Sequence, residues 1–377
     1  MIASPIRSIA AVLFWASILS AQSRPAPKQP AASAQSFTTL AAQADAARRA
    51  NAPEAAALYE RALAIRPSWK EGWWTLGSVH YEHDRYPQCR DAFHRLAAID
   101  PKSGPAFTML GLCEFGAKQY DAALADLRRG QQLGVASAAL NEVARYDLAM
   151  LLTRAGDFEN ALGILLALEQ AGKEKPAYVI LSGIAGLWKP MLPEDLPADD
   201  RELVLLAGRA FCDAAVRNVP AAKKSFEILL AKYPSTPGVH YLYGSFALVE
   251  DQDHALAAFE DELKISPNHV GALSAIAAEY LRREDPAKGI PYARKCVELL
   301  PDGLACHAIL GRLLADKGDL EGGAKELETA QKLGPNDPQP RIALASIYAK
   351  LGRQEDAARE RREFLRIKSQ NKAPGEQ

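Results

Sequence analysis

Residues Glu71 to Tyr86, EGWWTLGSVHYEHDRY, crowd two tryptophans, two histidines and two tyrosines among acids. His80 and His83 lie three residues apart, on one face of any helix that contains them, and His94 would be the third ligand of a metal site. No acid or cysteine stands at ligand spacing beside them, so the run is assigned no metal and no cofactor. A second kind of chemistry is open to the carboxylate pairs Glu194/Asp195 and Asp199/Asp200, which suit general acid–base work. They stand among Pro190, Pro193 and Pro197, where a solvated acidic loop is the ordinary outcome. HExxH, GxSxG, GxxxxGK[ST], GxGxxG and CxxC are all missing from the sequence. No catalytic residue is therefore assigned, and the chain reads as a non-enzyme.

What positions these side chains is a repeat. Prolines recur at Pro67 and Pro101, and again at Pro234, Pro267, Pro301 and Pro335, with spacings of 34, then 33, 34 and 34. Ahead of them one pattern returns: Trp73, Leu76, Gly77 and His80, then Cys89, Phe93 and Pro101. The next copy runs Phe107, Leu110, Gly111, Ala123 and Leu127, and a later one His307, Leu310, Gly311, Leu314, Gly323, Leu327 and Pro335. The spacing predicts two helices per unit. A small residue after the leucine lets the second helix approach, and a large side chain from one helix fills a small slot on the other. Proline ends the second helix because it lacks an N–H and clashes with the preceding turn.

In these residues the chain resembles the tetratricopeptide repeat family. The resemblance implies an all-α fold, a right-handed superhelical solenoid of stacked antiparallel helix pairs, each too small to bury its apolar face alone. In this register the units run 36–69, 70–103, 104–137 and 142–175, then 203–235, 236–269, 270–303, 304–337 and 338–371. The chain thus divides into an N-terminal array at 36–175, an interruption at 176–202, a C-terminal array at 203–371 and a tail at 372–377. The interruption holds the apolar stretch YVILSGIAGLW and reads either as a decayed tenth repeat or as an inserted helix and loop, with a joint between the arrays there. Arg361 falls in an apolar slot of the last unit, as suits a cap whose outer face meets water. Trp73 and His80 occupy the packing positions of the repeat, so the aromatic run is a repeat unit.

The same register places partner-facing residues. In such a stack the first helix of each unit lines the concave face, with residues just before and after the packing position pointing inward. These include Trp74, Ser78 and Tyr81 in the second unit, Thr108, Leu112 and Phe115 in the third, Tyr146, Met150 and Thr153 in the fourth, and Ala207 and Phe211 in the fifth. The wall is aromatic and apolar, suited to an apolar or amphipathic segment of another protein. It lacks the Lys/Asn/Arg clamp with which members of the family hold chaperone C-termini. The expected function is a protein-interaction scaffold or adaptor of the cell envelope. The other reading is an envelope enzyme or enzyme subunit with Glu194 or Asp195 as acid or base.

Forty-five Lys and Arg balance 46 Asp and Glu, a net charge of −1 that offers no basic face for nucleic acid. At the N-terminus, Arg7 precedes the apolar IAAVLFWASIL and then small residues, the layout of a signal peptide over 1–23. That apolar core is short for a membrane span, so no stable span is expected after cleavage, and the protein is expected in the periplasm or outside the cell. Residues 24–35, rich in Pro and Ala, read as a linker. Cys89, Cys113, Cys212, Cys296 and Cys306 are odd in number and scattered. They read as buried free thiols, with one bridge open between Cys89 and Cys113 in neighbouring units.

Overall fold

The computed structural model describes residues 31–172 and 175–370. The signal-peptide expectation, residues 24–30 of the linker and the tail lie outside them. Residues 31–35 are helical rather than linker: after Pro30 nothing in AASAQ interrupts a helix, and alanine is the best helix former. Among the described residues there are only helices, turns and loops, with no strand. No helix is long and apolar enough to cross a membrane.

The chain forms two compact units. The first holds the described residues to Gly208 together with Ala215–Arg217. It contains the pairs α1 (Ala31–Arg49) and α2 (Ala55–Ile65), α3 (Lys70–Glu82) and α4 (Tyr86–Ile99), α5 (Gly104–Gly116) and α6 (Tyr120–Leu133), and α7 (Ala138–Arg154) and α8 (Phe158–Gln170). After these come α9 (Pro176–Gly186), two 3-10 turns at Pro193–Asp195 and Ala198–Asp200, and α10 (Arg201–Ala215). The second unit holds Arg209–Ala214 and the described residues from Asn218 onward. Its helices are α11 (Val219–Lys232), then the pairs α12 (Val239–Glu250) and α13 (Gln252–Ile265), α14 (Val270–Arg282) and α15 (Pro286–Leu299), α16 (Leu304–Asp316) and α17 (Leu320–Leu333), and α18 (Gln339–Lys350) and α19 (Gln354–Gln370). The division falls inside α10, downstream of the joint expected at 176–202. Each unit is a solenoid of the kind the repeat implies, with consecutive helices packed from α1 through α9 in the first and from α11 through α19 in the second.

In four pairs close approach is set by a glycine on the first helix. A Cβ on Gly77 would lie 2.5 Å from the Phe93 ring. On Gly111, Gly244 and Gly311 it would lie 2.7 Å from Leu127, Phe259 and Leu327 respectively. The large partners are fully buried. Between the two helices of every pair but α12–α13 the chain reverses through one left-handed residue, a glycine at Gly156, Gly318 and Gly352 and a side-chain-bearing residue at Asn51, Asp84, Lys118 and Glu284. α9 ends as several first helices do, with Trp188 in the same left-handed position. Pro190 and Pro193 then prevent a second helix, and α10 closes on α9 instead, its Gly208 against the Val179 backbone.

A bond not foreseen from the pattern joins successive repeats. The packing residue of the first helix donates to the carbonyl of the proline six positions earlier: Trp73 Nε1 to Pro67 at 2.7 Å, His240 Nε2 to Pro234 at 2.8 Å and His307 Nε2 to Pro301 at 2.8 Å. Arg341 Nη2 reaches Pro335 at 3.3 Å in the last repeat. Each bond satisfies a carbonyl left over at the end of the preceding helix. Trp73→Phe keeps the ring and removes the N–H, so it should lower stability by about 1 kcal/mol. A fall in the urea midpoint at unchanged slope would register it.

The cysteines depart from expectation. All five are buried, but four are bridged, Cys89 to Cys113 and Cys296 to Cys306, with Cα–Cα separations of 5.7 and 5.6 Å. Each bridge ties the second helix of one repeat to the first helix of the next, where stacking brings two backbones within bridging range. Cys212 takes part in neither. The Cys89–Cys113 bridge is the one that their places in neighbouring units left open, whereas spacing gave no sign of Cys296–Cys306, whose partners meet only across a helix–helix interface. The double variant Cys89→Ala/Cys113→Ala should lose about 3 kcal/mol more stability relative to wild type under oxidising conditions than in excess dithiothreitol. Parallel denaturation curves test both halves of that statement.

Candidate interaction surface

The residues expected to line the inner face of the first unit separate into two groups. Trp74, Tyr81 and Phe115 are half-buried. Each is braced by an aromatic residue of the following helix: Trp74 edge-on to Phe93 at 5.3 Å, Tyr81 to Tyr86 at 6.0 Å and Phe115 to Tyr120 at 5.7 Å. Such bracing limits the rotamers of an exposed ring before any partner arrives. Ser78, one turn beyond Trp74, bonds back to the Trp74 carbonyl at 2.9 Å.

The second group is enclosed and is withdrawn from the surface. Leu112, Tyr146 and Met150 keep only 3, 5 and 7 % of their area exposed, and Thr108 and Thr153 none. For Tyr146 the cause is α9, whose Tyr178 ring lies 5.4 Å away and whose Ala177 carbonyl accepts the Tyr146 hydroxyl at 3.3 Å. Phe211 is half-buried and belongs to the second unit, and Ala207 is fully buried.

The interruption approaches this face. Leu192 is buried, Trp188 packs on Phe158 with ring centres 5.0 Å apart, and Lys189 Nζ holds Asp200 at 2.8 Å, closing the loop. Burial, then the negative charges of Glu194 and Asp195, raise the pKa of Tyr120, and Arg154 opposes them. Tyr146 is raised by burial, by Asp147 and by Glu194. Asp147, which sequence reasoning missed, shows some surface, but its carboxyl group sits among densely packed atoms. Burial and then Glu194 push it up to about 7. A lone aspartate within an amphipathic helix carries no signal of this, because the acid that faces it comes from a loop some fifty residues later.

A second acid pair is structural. Glu114 of α5, buried, shares a hydrogen bond with Asp126 of α6. Burial, and then the neighbouring carboxylate, holds Glu114 well above the usual range, while Arg90 pulls the other way. Among the histidines, His83 Nδ1 donates to the Val79 carbonyl at 2.7 Å, and His80 is buried, which lowers its pKa. Among the described residues no group of three or more His, Cys, Asp or Glu is arranged to hold a metal ion.

The sequence profile of the tetratricopeptide repeat matches residues 208–270, 274–338 and 310–371. The chain belongs to the tetratricopeptide repeat family. Solved structures that it resembles include MamA from Desulfovibrio magneticus RS-1, residue 41 to the end, at 17 % identity, covering 46 % of this chain and 98 % of that one with a TM-score of 0.42. A MamA RS-1 double mutant stands at 19 % identity, 45 and 97 % coverage and a TM-score of 0.42. MamA of AMB-1 stands at 18 %, 44 and 98 %, and 0.38. No curated protein sequence matches the chain. As a tetratricopeptide repeat protein the chain is a protein-interaction scaffold in general terms. The repeats outside the profile, at 31–172, carry the same glycine-to-large contact at Gly77–Phe93 and Gly111–Leu127.

The raised Asp147 sets a pH dependence. Folded, this carboxyl keeps its proton to about pH 7, whereas unfolded it releases it near its ordinary value of 3.8. The folded state therefore binds the extra proton between those values, and stability falls as pH rises through that window. Asp147→Asn removes the penalty. It should match wild type near pH 4 and exceed it at pH 8 by at most about 4 kcal/mol, read from urea unfolding at the two values.

Proposed function

We propose that this protein is a non-enzymatic scaffold of the cell envelope that holds an apolar or amphipathic segment of a partner protein against the inner face of its first unit. The observation that carries the reading is the row of Trp74, Tyr81 and Phe115, three braced and half-exposed rings on the first helices of adjacent repeats. Rings of this kind give large contact area at small entropic cost, and tryptophan and tyrosine dominate binding hot spots. Export is supported by the signal-like N-terminus and by two cysteine pairs at bridging distance, since disulfides persist in oxidising compartments.

A photo-crosslinking residue at position 74 or 115 in the envelope should capture the same partner, and one at the exposed Glu54 should not. Trp74→Ala with Tyr81→Ala should then weaken binding of that partner roughly 10- to 100-fold. Unchanged affinity of the double variant would remove this face from the interaction.

The acid–base alternative draws on the proximity of Asp147 and Glu194. Deleting residues 190–200 separates the two readings. Under the scaffold reading partner capture persists and no activity is lost with the loop.

A further inference from the structure

The last repeat presents an open seat. In the second unit α16 and α18 stack through the same three positions, 34 residues apart. Leu310, Leu313 and Leu314 of α16 join Ala277, Ile290 and Ala293, with Leu281 packed alongside. Leu344, Ile347 and Tyr348 of α18 join Ala324 and Leu327, with Ala308 and Ala315 packed alongside. Tyr348 also donates its hydroxyl to Glu328 of α17 at 2.7 Å. Thirty-four residues beyond Ala308, Ala315 and Leu327 stand Ile342, Ala349 and Arg361. These three, with Ala345, Ser346 and Lys350, line an open cleft of about 450 Å³ on α18 and α19. The cleft is therefore the place where one more helix would stack, and no repeat follows α19 among the described residues.

Its chemistry differs from that of the seat before it. Leu327 becomes Arg361, Glu328 becomes Arg362 and Asp316 becomes Lys350. The three cations are exposed, whereas Leu327 is fully buried. The apolar floor remains: Ile342 is 42 % exposed, and Leu365, one turn beyond Arg361 on the same face of α19, is 62 % exposed.

We infer that this seat docks a helix of another protein, apolar along one stripe and acidic on its flanks, in the position of a further repeat. The apolar stripe replaces the Leu/Ile/Tyr set of α18, and its acids meet Lys350, Arg361 and Arg362, where a neutral or basic helix would leave three cations facing it. A second copy of this chain is disfavoured by charge, since the described part of α1 from Phe37 to Arg49 holds Asp45 against Arg48 and Arg49. The seat lies at the end of the unit and shares no residue with Trp74, Tyr81 or Phe115, so the two proposals fail independently.

The probe is a fluorescent peptide with the Gln339–Lys350 sequence, lengthened to about 18 residues with alanine so that it forms a helix. Glutamate replaces its Arg and Lys. Anisotropy titration of the full-length protein should show saturable binding below about 100 µM, weakened at high salt. Arg361→Glu and Lys350→Glu should each weaken it at least about tenfold. Ile342→Ala should weaken it less, and Glu54→Gln not at all. Circular dichroism and the urea midpoint of each variant establish that it is folded. No binding by the glutamate peptide, equal binding by the peptide with native Arg and Lys, or folded charge variants that bind unchanged would each overturn the inference. Concentration-dependent oligomers of the protein that Arg361→Glu abolishes would give the seat to a second copy and overturn it too.

Discussion

The structure depends on one steric fact: two helices come within a side chain's width only where one of them has no side chain. At Gly77, Gly111, Gly244 and Gly311 an added Cβ would collide with Phe93, Leu127, Phe259 or Leu327. The large residue then has a single place to go, which is the slot that glycine opens. That pairing fixes the register of these four hairpins, and the register decides which residues of the first helix pack on the second. With the register shifted by one residue, neither the braced rings of the first unit nor the stacking triads of the second would line up.

Stacking adds a polar layer to this apolar one. Where a proline ends the second helix, its carbonyl is an acceptor with no helical partner, and a side chain of the next repeat supplies the donor. Trp73, His240, His307 and Arg341 are chemically unlike, but each places an N–H at the same point. The device is not universal: Phe107 and Leu273 hold the position after Pro101 and Pro267 and carry no donor, and Lys295 Nζ serves the Pro267 carbonyl instead. The two disulfides act across the same inter-repeat boundary, one in each unit.

Variation from repeat to repeat is where recognition enters. The position filled by Phe93, Leu127, Leu165 and Leu327 in interior repeats is an exposed arginine in the last. A buried cation in that slot would carry a desolvation cost of several kcal/mol, so the side chain turns outward and the slot stays open. At the interruption, prolines remove a second helix and leave a loop whose acids come to lie near Tyr120, Tyr146 and Asp147. A solenoid tolerates such local departures because each repeat interacts chiefly with its neighbours.

By itself the sequence determined the helix pairs, their order and the packing role of Trp73 and His80, because a 34-residue period is written in local side-chain size. It also singled out Trp74, Tyr81 and Phe115, which the structure leaves half-buried and braced by rings of the following helix. Tertiary structure decided everything that arises between elements distant in sequence. It enclosed Tyr146 beneath α9, brought Cys89 to Cys113 and Cys296 to Cys306, set Glu194 near Asp147, and placed the division between units inside α10. The reason is common to all of them. Periodicity specifies how neighbouring helices meet, but burial, bridging and charge proximity depend on which surfaces stacking brings together, and no single repeat carries that information.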